Sequence, residues 1–373
     1  MLRVLFASLL LLHGLIHALG FVNQWVLSLG TQMSGKSLVT MSAGTSRLMS
    51  ILWLLTGLCF LLASVSYWLQ RDWWLTVALV SVVLSQILII IYWPDAKAGS
   101  LVNVLIALAI GMTNAHNRFE QFADREASQL LNQPSNGNQI ITREMLIHLP
   151  MPVQQWLMAS GVVGKELIHT VRLQQKGLMR TSPNGTWMPT KAEQYINVNK
   201  PGFVWKADVQ MLSLLPLAGL DKYVDGKGNM QIKGLSFIPI VDASDAKTDQ
   251  GELLRYLSEM CWYPSAALSP FITWQPIDAN QAQATMRYKG VTGSAIFTFD
   301  TQHRLVSVSA KRYKGNDAHS QLEDWYIPVR AWKSMDGLTI PVKGDVIWKL
   351  PTGDFNYYQW EIKAIDYNRP VLY

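Results

Sequence analysis

Four stretches in the first 117 residues carry no Asp, Glu, Lys or Arg: Val4–Gly35, Leu48–Gln70, Trp73–Pro94 and Ala98–Asn117. Each offers about the 20 residues that a helix needs to cross roughly 30 Å of hydrocarbon. In lipid a helix is favoured because it satisfies its own backbone donors and acceptors. Residues 1–117 are therefore expected to form a four-span α-helical bundle in a cell inner membrane. Composition taken over all 373 residues hides this, since 49% hydrophobic and 16% charged would suit a soluble enzyme. Residues 1–112 hold seven charged side chains, whereas 113–373 hold 27 Lys or Arg against 24 Asp or Glu. An apolar third has been averaged with an ordinary polar remainder.

Trp25, Trp68, Trp73, Trp74 and Trp93 fall at the ends of the runs, where indole rings prefer the headgroup level. A cleaved signal peptide would account for the first run alone, and three more follow it. The fourth run is the most diluted, by Ser100, Asn103, Thr113 and Asn114. Orientation follows the positive-inside tendency: Arg3, Arg71, Arg118 and Arg125 share one side, against Lys36, Arg47 and Lys97 on the other. That count places both termini, and with them the polar two thirds, in the cytoplasm; the opposite side is the alternative.

Polar groups inside a span need partners there. His13 and His17 are four apart, so both imidazoles share one helix face, with Gly14 and Gly20 permitting close helix approach. Two readings follow: a metal or haem ligand pair or proton relay, or an interhelical hydrogen bond to Gln86 or Asn103 that fixes the bundle. A closed metal site usually takes four ligands, which favours the second. Gly30-Thr-Gln-Met-Ser-Gly-Lys-Ser37 matches the phosphate-binding pattern G-x-x-x-x-G-K-S. Placed between two spans, it lacks the buried strand and following helix that make such a loop work, so no nucleotide is expected.

Residues 118–139 read as an exit helix, Arg118 to Leu131, and a turn-rich linker, Asn132-Gln-Pro-Ser-Asn-Gly-Asn138. From 140 to 373 a β-rich domain follows, with a short helix before Pro150 and another from Pro152 to Gly161. From Leu167 onward the apolar period is two, in about ten short strands separated by Gly, Pro, Asn and Asp turns. Hairpin-length connections mean an antiparallel sheet. One helix interrupts it: Asp249–Trp262, capped by Thr248 or Asp249, with Leu253, Leu254 and Leu257 facing inward and Pro264 as the stop. A sheet too large for one helix to cover is expected to curve around a cavity or close toward a barrel.

Nine of the 15 Trp fall after residue 150, and Trp187, Trp205, Trp262 and Trp274 are candidates to line an apolar ligand site, the competing reading being that such rings simply fill the core. The chemistry-bearing candidates lie on the single helix: Glu252 as an acid/base or buried anchor, Arg255 for a carboxylate or phosphate, and Tyr256. Glu252–Arg255 at i,i+3 and Arg255–Glu259 at i,i+4 also fit a salt-bridged solvent face. H-E-x-x-H, C-x-x-C, G-x-S-x-G and EF-hand patterns are absent, and Asp221-Lys-Tyr-Val-Asp225 fails the calcium spacing at Tyr223. Cys59 and Cys261 lie in different regions and argue against an internal disulfide. A small dispersed positive charge gives no footprint for nucleic acid, and no cofactor is expected.

Leu149-Pro-Met-Pro-Val153, Ser160-Gly-Val-Val-Gly-Lys165, Trp187-Met-Pro, Ala192-Glu-Gln-Tyr195, Pro201-Gly-Phe-Val-Trp205, Asp249-Gln-Gly-Glu-Leu-Leu-Arg-Tyr256, Pro264-Ser-Ala266 and Ile340-Pro-Val-Lys-Gly344 together resemble a bacterial and archaeal family built on a domain of unknown function. The resemblance covers roughly 149–366, and the His13–His17 span looks like the membrane part of longer members. It implies no activity. At the level of fold the region is similar to the half-barrel carriers of lipids and lipoproteins, although no motif supports that likeness. The expectation is a membrane protein whose β-rich domain binds an apolar or amphipathic, lipid-like ligand from the adjacent bilayer. Its alternatives are a membrane-anchored hydrolase or transferase working from Glu252–Tyr256, and a metal, haem or proton-relay module on His13 and His17.

Overall fold

The structure, a computed structural model, describes residues 2–25, 37–132, 139–212, 215–315, 317 and 319–373. The P-loop-like Gly30–Lys36 stretch and most of the turn-rich linker lie outside the described residues. The chain divides into two compact units, Met1–Asn117 and Arg118–Tyr373.

The first unit contains α1 (Leu2–Trp25), α2 (Ala43–Trp68), α3 (Trp74–Ile91), the short α4 (Trp93–Ala96) and the start of α5 (Gly99–Leu131). α1, α2, α3 and α5 are each long and apolar enough to cross a membrane. Leu5, Leu12, Leu58, Val80 and Leu108 point outward unpaired, as lipid-facing residues do, while Leu10, Phe60, Ala78, Val82 and Ile106 pack inside. α1 and α2 cross at two glycines. A Cβ on Gly14 would lie 2.9 Å from the Gly57 carbonyl oxygen, and one on Gly57 would lie 2.7 Å from that of Gly14. Small residues at the crossing let the backbones touch, the usual basis of helix association where lipid gives no hydrophobic drive.

In the second unit thirteen strands form one antiparallel sheet. They are β1 (Thr170–Met179), β2 (Met188–Asn197), β3 (Gly202–Leu212), β4 (Leu215–Val224), β5 (Lys227–Gly234), β6 (Ile238–Ala243), β7 (Ile272–Pro276), β8 (Gln281–Tyr288), β9 (Val291–Phe299), β10 (Leu305–Tyr313), β11 (Leu322–Met335), β12 (Leu338–Leu350) and β13 (Gly353–Tyr367). The spatial order, β6 through β1, then β13 down to β7, describes two hairpin-linked wings joined where β1 pairs with β13. β6 and β7 are the two edges, and the chain between them forms α7 (Ala246–Glu259).

α7 packs on β4 and β5 of one wing and on β8, β9 and β10 of the other. A sheet touching opposite sides of one helix must curl, and the Tyr223 and Tyr288 rings of the two wings come within 6.3 Å. The result is a curled antiparallel half-barrel. Its hollow holds α7, α6 (Met151–Ser160) and two 3₁₀ turns, Met260–Trp262 and Pro264–Leu268, around a core of Trp156, Leu157, Phe203, Leu253, Leu257 and Phe297. The cap of α7 lies earlier than its sequence suggests: Asp245 Oδ1 accepts from the Thr248 backbone N–H at 2.8 Å. Asp249 instead ties the helix to β5, accepting from the Gly228 N–H at 2.7 Å and from Lys227 Nζ at 2.9 Å.

Alternation along β3 and β4 separates the two faces of that wing. Phe203, Trp205 and Tyr223 face the hollow, while Val204, Ala218 and Leu220 face outward under the second half of α5. That half presents Phe119, Ala123, Ala127 and Leu130 at helical spacing. Lys206 then reaches Glu120 and Asp124, and Lys222 reaches Glu126, at 2.6–3.0 Å.

Candidate ligand cavity

Between the second half of α7, strands β3–β5 and strands β11–β13, the half-barrel leaves a cavity of about 270 Å³. Its wall is predominantly apolar. Trp205, Trp262, Trp325 and Trp360 form the deep, buried part, and Met179, Leu217, Met230 and Ile232 the half-buried part; Thr181 in the β1–β2 turn is exposed. At roughly 30 Å³ per water the space equals about nine water volumes, near the lower end for small-molecule pockets.

One end of this greasy space is ionic. Arg255 donates from Nη1 to Asp221 Oδ2 at 2.6 Å and from Nε to Glu259 Oε1 at 2.8 Å. Its guanidinium carbon lies 4.8 Å from the ring centroids of both Phe203 and Trp205. Gln194 donates to the other oxygen of Glu259 at 2.5 Å. Behind them Arg312 donates to Glu252 Oε1 at 3.4 Å and lies 4.8 Å over the Trp325 ring. Trp205 Nε1 and the Tyr358 hydroxyl both donate to Gln175 Oε1, at 3.2 and 3.4 Å.

Three carboxylates share two guanidinium groups here, and burial decides which gives way. Burial, reinforced by the charge of Asp221 and opposed by Arg312 and Arg255, pushes the Glu252 carboxyl up to about 7. Burial also raises Asp221, against the pull of Arg255 and Arg312. For Arg255 burial opposes the charge, but Glu259, Asp221 and Glu252 more than offset it and keep the guanidinium protonated. Near neutral pH a partly protonated Glu252 brings the cluster toward balance. Trp262 Nε1 and Gln194 Oε1 have no hydrogen-bond partner among the described residues, and an unpaired buried polar atom costs roughly 1–3 kcal/mol.

The structure separates the residues that the sequence singled out. Trp205 and Trp262 line the cavity. Trp187 does not: it sits half-buried beside the β1–β2 turn, 4.4 Å below the Arg180 guanidinium. Trp274 does not either, being held on edge strand β7 by its N–H to the Ala267 carbonyl at 3.0 Å and by an edge contact with Phe297. Of the helix candidates only Arg255 reaches the wall. Glu252 lies behind Arg312 against Gly228, and Tyr256 is packed beside Tyr263 in the core. The expected solvent face and the i,i+3 Glu252–Arg255 pair are thus corrected, while the i,i+4 Arg255–Glu259 pair forms. Glu252 is buried and Arg255 largely so, and the sheet supplies Arg312 to the one and Asp221 to the other, because the curl brings β4 and β10 over the helix face that an isolated helix would expose.

Asp221, Arg312, Trp325 and Trp360 were not anticipated. The readable signal was parity, since Asp221 shares its strand face with Gly219 and Tyr223, and Arg312 shares its face with Val308 and Ala310. Of the hydroxyl and thiol groups in the deep wall, Ser258 donates to the Leu254 carbonyl and burial raises the Cys261 thiol well above its ordinary range, so neither is an activated nucleophile.

The membrane unit holds its own polar cluster. His13 Nε2 meets Asn103 Oδ1 at 2.9 Å, His17 Nδ1 meets the His13 carbonyl at 2.7 Å, and His17 Nε2 meets Ser85 Oγ at 2.9 Å. Asn103 Nδ2 donates to Ser85 Oγ and Gln86 Oε1, and Gln86 Nε2 donates to Ser100 Oγ. A consistent proton assignment follows: His17 carries its proton on Nδ1, facing a carbonyl, and accepts from Ser85; His13 carries its proton on Nε2. Both ring nitrogens of His17 are then engaged. This is the interhelical hydrogen-bond alternative rather than an open ligand pair.

A curled sheet cupping an apolar cavity, on a chain with four helices of membrane-crossing length, defines the class: a membrane-associated half-barrel protein. Residues 139–360 match the model of the family of unknown function DUF6544, and the chain belongs to that family. No curated protein matches it. Among solved structures it is similar to a domain from Vibrio parahaemolyticus described as of outer membrane lipoprotein-sorting type, at 8% identity and TM-score 0.32, over 55% of this chain and 87% of that one. It is also similar to a DUF1329 family protein from Desulfovibrio piger, at 7% identity and TM-score 0.34, over 58% of this chain and 92% of that one.

Proposed function

We propose that the half-barrel binds a single amphipathic, lipid-like molecule, with its apolar chain among Trp205, Trp325 and Trp360 and its polar end toward Arg255 and the Trp262 N–H. The observation that carries this reading is the pairing of an apolar cavity with a buried ionic cluster at one end. An apolar ligand alone would leave that cluster's spare hydrogen-bonding groups unmet, and a purely polar one would waste the tryptophans. The ligand comes from the bilayer in which the chain's own helices sit, and the four-to-three count of flanking Arg and Lys supports a half-barrel on the cytoplasmic side, the opposite side being the alternative.

The test uses the full chain, purified and extracted for lipid mass spectrometry beside Gly219→Leu. A Cβ on Gly219 meets the Trp205 ring at an ordinary 3.7 Å, so the added side chain grows into the cavity without displacing backbone. Wild type should yield a stoichiometric amphiphile that Gly219→Leu lacks. The same extract from both, or nothing from either, would sink the reading. The hydrolase or transferase alternative draws on the raised Glu252 carboxyl, since such shifts cluster at catalytic sites. It predicts turnover of the extracted amphiphile that Glu252→Gln abolishes without lowering the melting temperature.

A further inference from the structure

The β1–β2, β3–β4 and β5–β6 turns lie at one end of the same wing, because each pair of strands runs out and back from it. Residues 180–187, 210–217 and 233–240, which span these turns, contain no Asp or Glu; their charges are Arg180 and Lys233. Two of the turns are strongly apolar: Gln210-Met-Leu-Ser-Leu-Leu-Pro-Leu217 and Lys233-Gly-Leu-Ser-Phe-Ile-Pro-Ile240. They are joined by a hydrogen bond from the Leu235 N–H to the Pro216 carbonyl at 2.9 Å. Phe237 is 52% exposed and Ile240 56% exposed, with Ile238 and Met211 exposed beside them. A soluble surface rarely gathers large apolar side chains in this way, least of all on an edge hairpin, where charge normally guards against association.

We infer that this end of the half-barrel docks on a lipid bilayer, with Phe237, Ile238 and Ile240 of the β5–β6 hairpin and the adjacent Met211 entering the interface and Arg180 and Lys233 facing anionic headgroups. Three observations choose a bilayer over a protein partner. The half-barrel's own helix, Arg118–Leu131, begins at this end: Lys233 Nζ lies 5.3 Å from the Phe119 ring, whereas Leu130 meets Asn197 and Gly202 at the other end of β2 and β3. Residue 118 directly follows the fourth apolar run, so the chain brings a membrane to this end at high effective concentration. Within the three turns the charges are cations without a carboxylate, the nearest acid on the wing being Asp208, two strands from Lys233 in the same row, and cations at the tip suit lipid headgroups. The cavity's half-buried and exposed wall residues, Met179, Thr181, Leu217 and Ile232, belong to the same hairpins, so docking here would face the mouth of the cavity toward lipid. The surface stands apart from the cavity's occupant. An empty cavity would leave this inference intact, and a failed docking test would leave a bound ligand intact.

The test places a small fluorophore on the full chain in a Cys59→Ala/Cys261→Ala background, at Phe237→Cys, at Ile240→Cys, or at Asp225→Cys. Asp225 is exposed in the β4–β5 turn, about 30 Å from Phe237 and about 20 Å from Ile240 along the strand. Each labelled chain is reconstituted into phosphatidylcholine vesicles containing phosphatidylglycerol, with and without brominated acyl chains. Interfacial elements seat their apolar face roughly 5–10 Å into the headgroup and acyl boundary, so brominated lipid should quench the labels at 237 and 240 and spare the label at 225. Adding Ile238→Asp should return the label at 237 to the unquenched level. Equal emission at all three sites in both lipids would overturn the docking. So would a label at 237 that is shielded from water yet unquenched and close to its own copy by double-label distance measurement, since that marks a second chain as the occupant.

Discussion

Both units enclose polar side chains four residues apart on a helix, His13 and His17 buried in one, Arg255 and Glu259 largely so in the other, and they resolve the cost in opposite ways. The membrane cluster is closed. Ser85, Gln86, Ser100 and Asn103 complete a hydrogen-bonded set in which both ring nitrogens of His17 are used. The half-barrel cluster is charged and incomplete, with Glu252 Oε2, Arg312 Nε, Gln194 Oε1 and Trp262 Nε1 lacking partners among the described residues. A closed neutral network fixes the packing of helices. An open ionic one beside a cavity holds polarity in reserve, where a low dielectric makes each new hydrogen bond count.

The sharpest break of this contrast is Arg255→Leu. It leaves Asp221 and Glu259 buried without their shared cation, and losing one partner of a buried ion pair costs about 3–5 kcal/mol. Denaturant unfolding of the full chain should register that loss in the half-barrel transition. The same measurement across pH isolates Glu252. Its carboxyl is raised in the folded state from 4.5 to about 7, so the folded form holds the proton more tightly than the unfolded chain. Stability is therefore fully present below about pH 4.5 and falls as pH rises toward 7, by about 3 kcal/mol at roughly 1.4 kcal/mol per unit. Glu252→Gln should flatten that slope. In the membrane unit Gly57→Val drives methyl groups into the Gly14 carbonyl and should cost about 1–3 kcal/mol in unfolding from detergent. His17→Leu should cost least, about 0.6–2 kcal/mol, the range for interhelical hydrogen bonds in membranes. A His17→Leu loss as large as that of Arg255→Leu would erase the distinction drawn here.

The strands that sequence reasoning missed are instructive. About ten were expected and thirteen form, and the two whose stretches, 238–243 and 272–276, lack the period of two, β6 and β7, are the two edges of the sheet. Each contains a proline, Pro239 and Pro276, and neither shows clean alternation. Proline reads as a strand breaker, yet an edge strand has one side free of ladder bonds and tolerates it. The helix boundary erred for a related reason. Asp249 looks like a cap by composition, but Asp245 takes that role and Asp249 is drawn to Gly228, a partner that exists only once β5 lies beneath the helix.

What the sequence determined by itself was local. Uncharged runs of about 20 residues dictate membrane-length helices, because an unpaired charge in hydrocarbon is too costly to be common. Period-two apolarity with short turns dictates antiparallel strands, and the family follows from residues 139–360. What only the tertiary structure decided was which side chains face one another. Asp221 and Arg255 are 34 positions apart, and Glu252 and Arg312 are 60 apart. They meet because the sheet curls around α7 by enough to lay β4 on one side and β10 on the other. That curvature sums small twists over thirteen strands, so no short window of sequence contains it.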